Sequence, residues 1–405
     1  MTEIKIAVIY ETVQKYLNVV CWALSYYFLL NYLDQAEFGL YSFILSIFGI
    51  FSGLASFGSR QYIQVCSAKG HVSNLVFTNA VTLECLGNIV LFLILLCFSI
   101  SSDNEQLIIY FTILTFANLL KCVQIYEFYL AGKNKGQIYS KWNLKISFLQ
   151  PILILLVIYF KLGLIFVLST QLIVSVYYFW TVSRSKDVEN KIQLSLIRRH
   201  HLSSLIKKVY PYAITIVSAS IYTHSDQIML KIMDSYEQVA IYSLSSKIFY
   251  FSLTFVMIIS RNSYKKLLSI SFLRKYSAIS LMLSVFSILV AIFCIPYIFG
   301  DVYSGSVSAL IILSFSILPY SYGSLTARWL EKNAQLRVQN IRIMLAAALN
   351  ILLNLLLIPM YGANGAAIAT LASFSFQFLI TPLLYPSFRS TFKGFMSSIV
   401  QPKLF

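Results

Sequence analysis

The sequence predicts an all-α polytopic membrane protein with twelve transmembrane helices in two parallel six-helix repeats. Three observations carry that expectation. Apolar runs of membrane-spanning length recur throughout the 405 residues, basic residues are confined to alternate loops, and one loop-plus-helix segment is written twice, 201 residues apart.

Hydrophobic residues make up 58% of the chain and charged residues only 11%. A soluble domain carries about 25% charged residues, so a soluble class is excluded. Runs long enough to cross a bilayer, roughly 20 residues, lie at 12–32, 38–59, 75–99, 107–130, 144–161, 163–183, 209–231, 238–260, 277–298, 302–325, 341–359 and 364–386. The runs are continuous and do not alternate, which excludes the strand pattern of an outer-membrane barrel. The first run lacks a small-residue cleavage site and is followed by further runs, so it is expected to be retained as a helix. The six cysteines show no metal-ligand spacing and no loop pair suited to a disulfide.

Taken in order, spans 1 and 2 flank the acidic turn "LDQAEFGLYS", and span 2 ends at Arg60. Spans 3 and 4 hold Glu84, Lys121 and Glu127, and the basic turn "LAGKNKG" follows. Spans 5 and 6 are joined by "FKLG". The basic segment Arg184–Lys208 is the natural linker to span 7, which starts near Pro211 and carries His224 and Asp226 late in its length. "MDSYEQVAIYS" leads into span 8 with Lys247. Spans 9 and 10 flank Asp301, "LEKNAQ" follows span 10, and "PMYG" joins spans 11 and 12.

The formal net charge of +16 is a matter of orientation. With the N-terminus cytoplasmic, 27 of the 31 Lys and Arg fall on that side, at the termini, in the loops or at the span ends beside them. Lys161 and Lys231 are opposite, as are seven acids including Asp34, Glu37, Asp234 and Asp301; Lys121 and Lys247 lie within spans. This is the positive-inside pattern. It places both termini in the cytoplasm and makes anionic membrane lipids, not nucleic acid, the partners of the basic loops.

The repeat maps Tyr41 onto Tyr242, Ser42 onto Ser243, Ser59 onto Ser260 and Arg60 onto Arg261. An even number of spans per half keeps both halves in one orientation, with binding expected where the repeats meet. The halves expected are residues 1–190 and 191–405. In span 2, Ser42, Ser46, Gly49, Gly53 and Ser56 share one helical face, and Gly49 with Gly53 is a small-residue pair suited to close helix packing. The matching face of span 8 is Ser243, Lys247, Tyr250, Thr254, Met257 and Arg261. A lysine in mid-span costs at least about 2.5–3.5 kcal/mol unless paired or wet.

Four segments carry a family resemblance: "LDQAEFGLYSF", "SFGSRQYI", "VYPYAITIVSASIYTHSDQIML" and "LNILLNLLLIPMYGANGAAIAT". They resemble the bacterial polysaccharide-transport proteins, the Wzx-type O-antigen flippases of the multidrug, oligosaccharidyl-lipid and polysaccharide exporter superfamily. The likeness runs over nearly the whole chain; Ala240 stands where a glycine is common. It implies a MATE-like fold and translocation of an undecaprenyl-diphosphate-linked oligosaccharide repeat unit from the cytoplasmic to the periplasmic leaflet. The setting implied is O-antigen or capsular polysaccharide biosynthesis at the inner membrane, with other polysaccharide-assembly proteins as further partners.

The residues suit that task. A diphosphate needs cations, which gain strength in an apolar interior. Lys247, Arg60, Arg261 and Lys121 are the candidate substrate contacts, with Tyr250 for the sugar and Trp22, Asn18 and Tyr222 as weaker candidates. Positive-inside bias alone also explains Arg60 and Arg261, and Glu84 with Lys121 is expected to pair across neighbouring helices. Asp226, Glu84 and Glu127 are the candidates for ion coupling, although Glu127 lies near enough to the interface to be merely solvated. His224 titrates near neutrality when unperturbed but is more simply structural. No phosphate-binding loop or HExxH motif is present, so no enzyme, catalytic residue, metal or cofactor is expected. The alternatives are a cation-coupled multidrug exporter of the same superfamily and, less favoured, an integral-membrane glycan polymerase or ligase, which would need a larger extracytoplasmic loop.

Reporter fusions after Phe299 and after Arg337 are expected to read opposite sides of the membrane. The same side for both would overturn the twelve-span topology.

Overall fold

The computed structural model describes residues 2–101, 105–185, 192–262, 269–333 and 335–384, with 389 and 393. Among these the regular structure is all helical. It runs through α1 (Thr2–Tyr32), α2 (Gln35–Ser56), α3 (Ser59–Ala68), α4 (Asn74–Ser101) and α5 (Glu105–Leu120). A 3₁₀ stretch, Lys121–Gln124, leads from α5 into α6 (Ile125–Gly132), followed by α7 (Gly136–Tyr159), α8 (Leu164–Ser183), α9 (Arg199–Met233) and α10 (Tyr236–Asn262). Then come α11 (Ile270–Leu289), the π-helical stretch Val290–Cys294, α12 (Ile295–Phe299), α13 (Gly305–Phe315), α14 (Ile317–Lys332) and α15 (Leu336–Leu384). Residues 186–191 of the expected linker and 385–386 of the last expected span lie outside the described residues.

Each expected span falls on a helix or on a bent run of helix. Among the described residues eight helices are long and apolar enough to cross a membrane, and α13 with α14, bent by 43°, makes a ninth. α1 and α9 match two more expected spans in length but carry more polar side chains than that set. α15 holds the last two expected spans. Its 49 residues would reach about 74 Å as one rod, more than twice the hydrocarbon thickness of about 30 Å. The break comes at Gly362, whose φ of 54° and ψ of −129° suit only glycine. The Gln238 side chain accepts the freed Ala363 N–H at 2.9 Å.

The chain packs as two compact units. The first comprises Met1–Asp34 and Ile47–Ser220, the second Gln35–Ser46 and Ile221–Phe405. The sequence repeat divides at residues 190 and 191, whereas the packing units part within α9, and α2 contributes to both.

In the first unit α1 lies along α7, α5 along α8 and α3 on α6. Aromatic and aliphatic residues share one core cluster, with Phe77 and Tyr126 ring centroids 4.6 Å apart and Trp142, Tyr129 and Tyr178 in the same cluster. α4 leaves Leu86, Ile89, Val90, Leu93 and Ile94 exposed, an apolar stripe at helical spacing that suits lipid. Gly87 brings α4 onto α2: a Cβ there would come within 2.1 Å of the Ala55 carbonyl oxygen. Gly53 sits against Ser220 and Ile216 of α9, where a Cβ would meet the Ser220 hydroxyl at 2.4 Å. That is the close packing expected of its small-residue face.

The second unit is held by serine. Ser252 and Ser287 join α10 to α11 at 2.7 Å, Ser284 donates to the Ser314 carbonyl at 2.7 Å, and Ser245 and Ser306 cross-link α10 and α13 through backbone carbonyls at 2.9 Å each. Its exposed faces are again apolar, with Met282, Val285, Phe286 and Leu289 on α11 and Leu352, Leu355 and Leu356 on α15. The twice-written segments meet here. A Cβ on Gly39 would come within 1.9 Å of the Tyr236 carbonyl oxygen, and the Phe43 ring stands edge-on to Tyr236 at 5.9 Å.

Gly87→Val should force α2 and α4 apart and cost about 1–3 kcal/mol of stability. Thermal unfolding of the full chain in detergent checks this; an unchanged midpoint would contradict the close approach.

Candidate functional site

In the first unit the α-helical run of span 4 tightens to 3₁₀ over Lys121–Gln124. Side chains three apart eclipse in a 3₁₀ helix, so Lys121 and Gln124 point the same way, and Glu127 follows three residues later. All three line a cavity of about 370 Å³. α1 supplies Gln14, Asn18 and Trp22, α7 supplies Asn143, Ser147 and Gln150, and α8 supplies Gln171 and Tyr178. Each set shares one helical face, because its spacings are three and four residues or sums of these.

Next to this cavity lies a buried ion pair. Arg60 donates from Nε to Glu84 Oε1 at 3.0 Å and from Nη2 to Oε2 at 3.2 Å, in bidentate geometry. Glu84 is fully buried and also accepts Ser59 Oγ at 2.7 Å. Arg60 Nη1 donates to Gln124 Oε1 at 2.7 Å, and Nη2 reaches the Lys121 carbonyl at 3.4 Å. The expected Glu84–Lys121 pairing is therefore replaced. Guanidinium forks onto a carboxylate better than ammonium does, and Lys121 is left to line the cavity. Nor is Glu127 merely solvated: it is half-buried and accepts from the Tyr178 hydroxyl and the Asn143 amide.

The second unit gathers a different polar cluster. Asp226 on α9 is 2% exposed. Its Oδ1 accepts from Asn354 at 2.6 Å and its Oδ2 from Thr370 at 2.8 Å and from the Tyr242 hydroxyl. Asn350 backs this set, accepting from Ser225 at 3.1 Å and from Asn354 at 3.2 Å. Among the described residues no cation lies within ion-pair distance of Asp226. A carboxylate is costly to bury, and here three neutral donors answer it.

Lys247 is half-buried on α10, with His224 within electrostatic range. Tyr250 hydrogen-bonds Thr223. Tyr222 and Tyr320 each place a ring edge on Phe374, at 4.9 and 5.2 Å. The polar face read from sequence grades from buried Ser243 through half-buried Thr254 to exposed Met257. The side chain of Arg261 lies outside the described residues.

Sequence reasoning named Lys121, Glu127, Trp22 and Asn18 without bringing them together, and it missed Gln124 and the amides of α7. The signal was present as Gln14, Asn18 and Trp22, and as Asn143, Ser147 and Gln150, polar faces within apolar runs. It also missed that Asn350, Asn354 and Thr370 serve Asp226.

Apolar-faced helices of membrane-spanning length with polar side chains gathered inside define a multi-pass membrane protein, and solved structures share the fold. One is an inward-facing multidrug resistance MATE family transporter of the MOP superfamily, at 14% identity and TM-score 0.70 over 95% of this chain and 99% of that one. A second is the lipid II flippase MurJ in an inward closed conformation, at 16% identity and TM-score 0.71 over 97% and 91%. A third is a MOP superfamily transporter from Pyrococcus furiosus, whose binding pocket is described as having reversed polarity, at 13% identity and TM-score 0.65 over 96% of each. Among curated proteins none matches in sequence. The family profile for polysaccharide biosynthesis proteins matches residues 8–258, and the chain belongs to that family.

Arg60→Ala should strand Glu84 and cost about 3–5 kcal/mol, while Arg60→Ala with Glu84→Gln should recover most of that loss. Thermal unfolding of the three proteins decides it, and equal midpoints for the single and double variants would contradict the pair.

Proposed function

We propose that this protein is a flippase that carries a lipid-linked saccharide from one leaflet to the other. The observation that carries the reading is the cavity of the first unit, where amide, aromatic and charged side chains collect inside helices whose outer faces are apolar. A polar headgroup needs such a path, while its polyprenyl tail needs only lipid. Membership of the polysaccharide biosynthesis family supports the substrate class, and the fold shared with the lipid II flippase MurJ supports the mode of action.

In this reading the substrate is an undecaprenyl-diphosphate-linked oligosaccharide for O-antigen or capsular polysaccharide, moved outward across the inner membrane by alternating access. The halves 1–190 and 191–405 are the repeated bodies, and both termini are cytoplasmic. Lys247, with Arg261 and Tyr250, meets the diphosphate and adjoining sugar. Lys121 serves the saccharide, and Arg60 serves indirectly through Gln124. Asp226, held by neutral donors, takes up the coupling proton or cation. Glu84 is committed to Arg60 and Glu127 faces the saccharide cavity, so in this reading the coupling falls to Asp226. Glu127 also favours a second reading, a cation-coupled multidrug exporter, because an acid in a cavity attracts cationic substrates.

Translocation of a labelled lipid-linked saccharide across proteoliposome leaflets tests the proposal. Lys247→Ala should abolish movement at normal protein levels, Lys247→Arg should retain part of it, and Asp226→Asn should remove its dependence on the ion gradient. Full transport by well-folded Lys247→Ala would overturn the role of Lys247. Export of a cationic dye with no movement of the lipid-linked saccharide would favour the exporter.

A further inference from the structure

The cavity of the first unit has a composition that the diphosphate does not explain. Six of the thirteen residues lining it are carboxamides: Gln14, Asn18, Gln124, Asn143, Gln150 and Gln171. Its charged lining residues are Lys121 and Glu127, of opposite sign. The neighbouring Arg60 is neutralised by Glu84. The formal charge presented to a ligand is therefore zero, in surroundings where one unbalanced charge is felt strongly.

The amides are also oriented. Gln124 gives its oxygen to Arg60, which leaves its NH₂ edge for a ligand. Gln150 donates its NH₂ to Thr170 at 3.0 Å, and Asn143 donates to Glu127, which leaves oxygen edges at both. Donor and acceptor edges thus line one cavity. Vicinal sugar hydroxyls, each both donor and acceptor, match such a lining, and Trp22 and Tyr178 add ring faces. The volume of about 370 Å³ lies at the small end of ligand pockets, enough for a saccharide of one or two rings.

Resting on the flippase reading, we propose that this cavity is a saccharide subsite selective for uncharged, hydroxyl- or acetamido-bearing sugars, with Glu127 as the residue that rejects acidic ones. A uronate brought here gains Lys121 but meets the Glu127 carboxylate within the same cavity. An uncharged ring meets only hydrogen-bonding groups. Arg60 and Glu84 are positioning residues, since they turn the Gln124 amide.

The test uses the full chain in proteoliposomes with two probes. One is a polyprenyl-diphosphate disaccharide of two N-acetylhexosamines, and the other is the same lipid with one sugar replaced by a uronic acid. The uncharged probe should cross about tenfold faster. Gln150→Leu should slow it by a similar factor. The isosteric Glu127→Gln should raise the rate of the uronate probe and narrow the difference, a gain that misfolding cannot produce. A second readout is fluorescence quenching by the uncharged probe that Trp22→Phe removes. Equal or faster movement of the uronate probe overturns the inference and leaves the flippase reading standing. Quenching at Trp22 without translocation supports the subsite and overturns the flippase reading. Neither quenching nor translocation overturns both.

Discussion

Hydrocarbon offers no hydrogen-bond partner, and that constraint shapes the rest of this structure. Each backbone polar group at membrane depth must be satisfied by protein. Helices answer for the backbone. For side chains the outcome is apolar outer faces, with leucine, isoleucine and phenylalanine exposed on α4, α7, α11 and α15, while serine, asparagine and glutamine are kept inside among apolar neighbours. The interior is still largely apolar, but polar side chains are buried alongside it, and several contacts between helices run through hydroxyls, carbonyls and small residues.

Functional candidates sit where the helical ladder is disturbed. The 3₁₀ stretch Lys121–Gln124 interrupts span 4 and aligns Lys121 with Gln124. The break at Gly362 lies within the segment that also supplies Asn350, Asn354 and Thr370 to Asp226. Each disturbance leaves backbone groups to be satisfied, and Gln238 on Ala363 N–H shows how. Irregular backbone at this depth is tolerated where it is enclosed by protein or lines a cavity.

Much of the fold was legible in the sequence because a bilayer demands long apolar runs, and these are hard to misread. Over the described residues each expected run falls on helix or on a bent run of it, and eight or nine of these helices are long and apolar enough to span. The bends are less legible: the π stretch before Pro296 and the 3₁₀ turn at Lys121 depend on tertiary contacts. Among the site candidates, single charges stood out against the grease, so Lys121, Glu84, Glu127 and Asp226 could be named. Their partners were not, because pairing depends on three-dimensional neighbourhood. Arg60, 24 residues from Glu84 in the chain, reaches it, while Lys121 on the adjoining 3₁₀ stretch does not. Amides escaped notice because a glutamine in an apolar run reads as a mild exception, although Asn143, Ser147 and Gln150 already form one face.

The serines of the second unit have a mechanical consequence. Many of their hydroxyls are satisfied within their own helix: Ser246 by the Ser243 carbonyl, Ser280 by Tyr276, Ser314 by Leu310 and Ser321 by Ile317. A hydroxyl that carries its own acceptor loses nothing when the neighbouring helix shifts past it. The few that reach across, such as Ser284 and Ser306, can exchange a foreign carbonyl for one of their own. Where serines are satisfied this way, a displacement of one helix along another would break few hydrogen bonds, and the cost would fall on the cross-links such as Ser252 with Ser287.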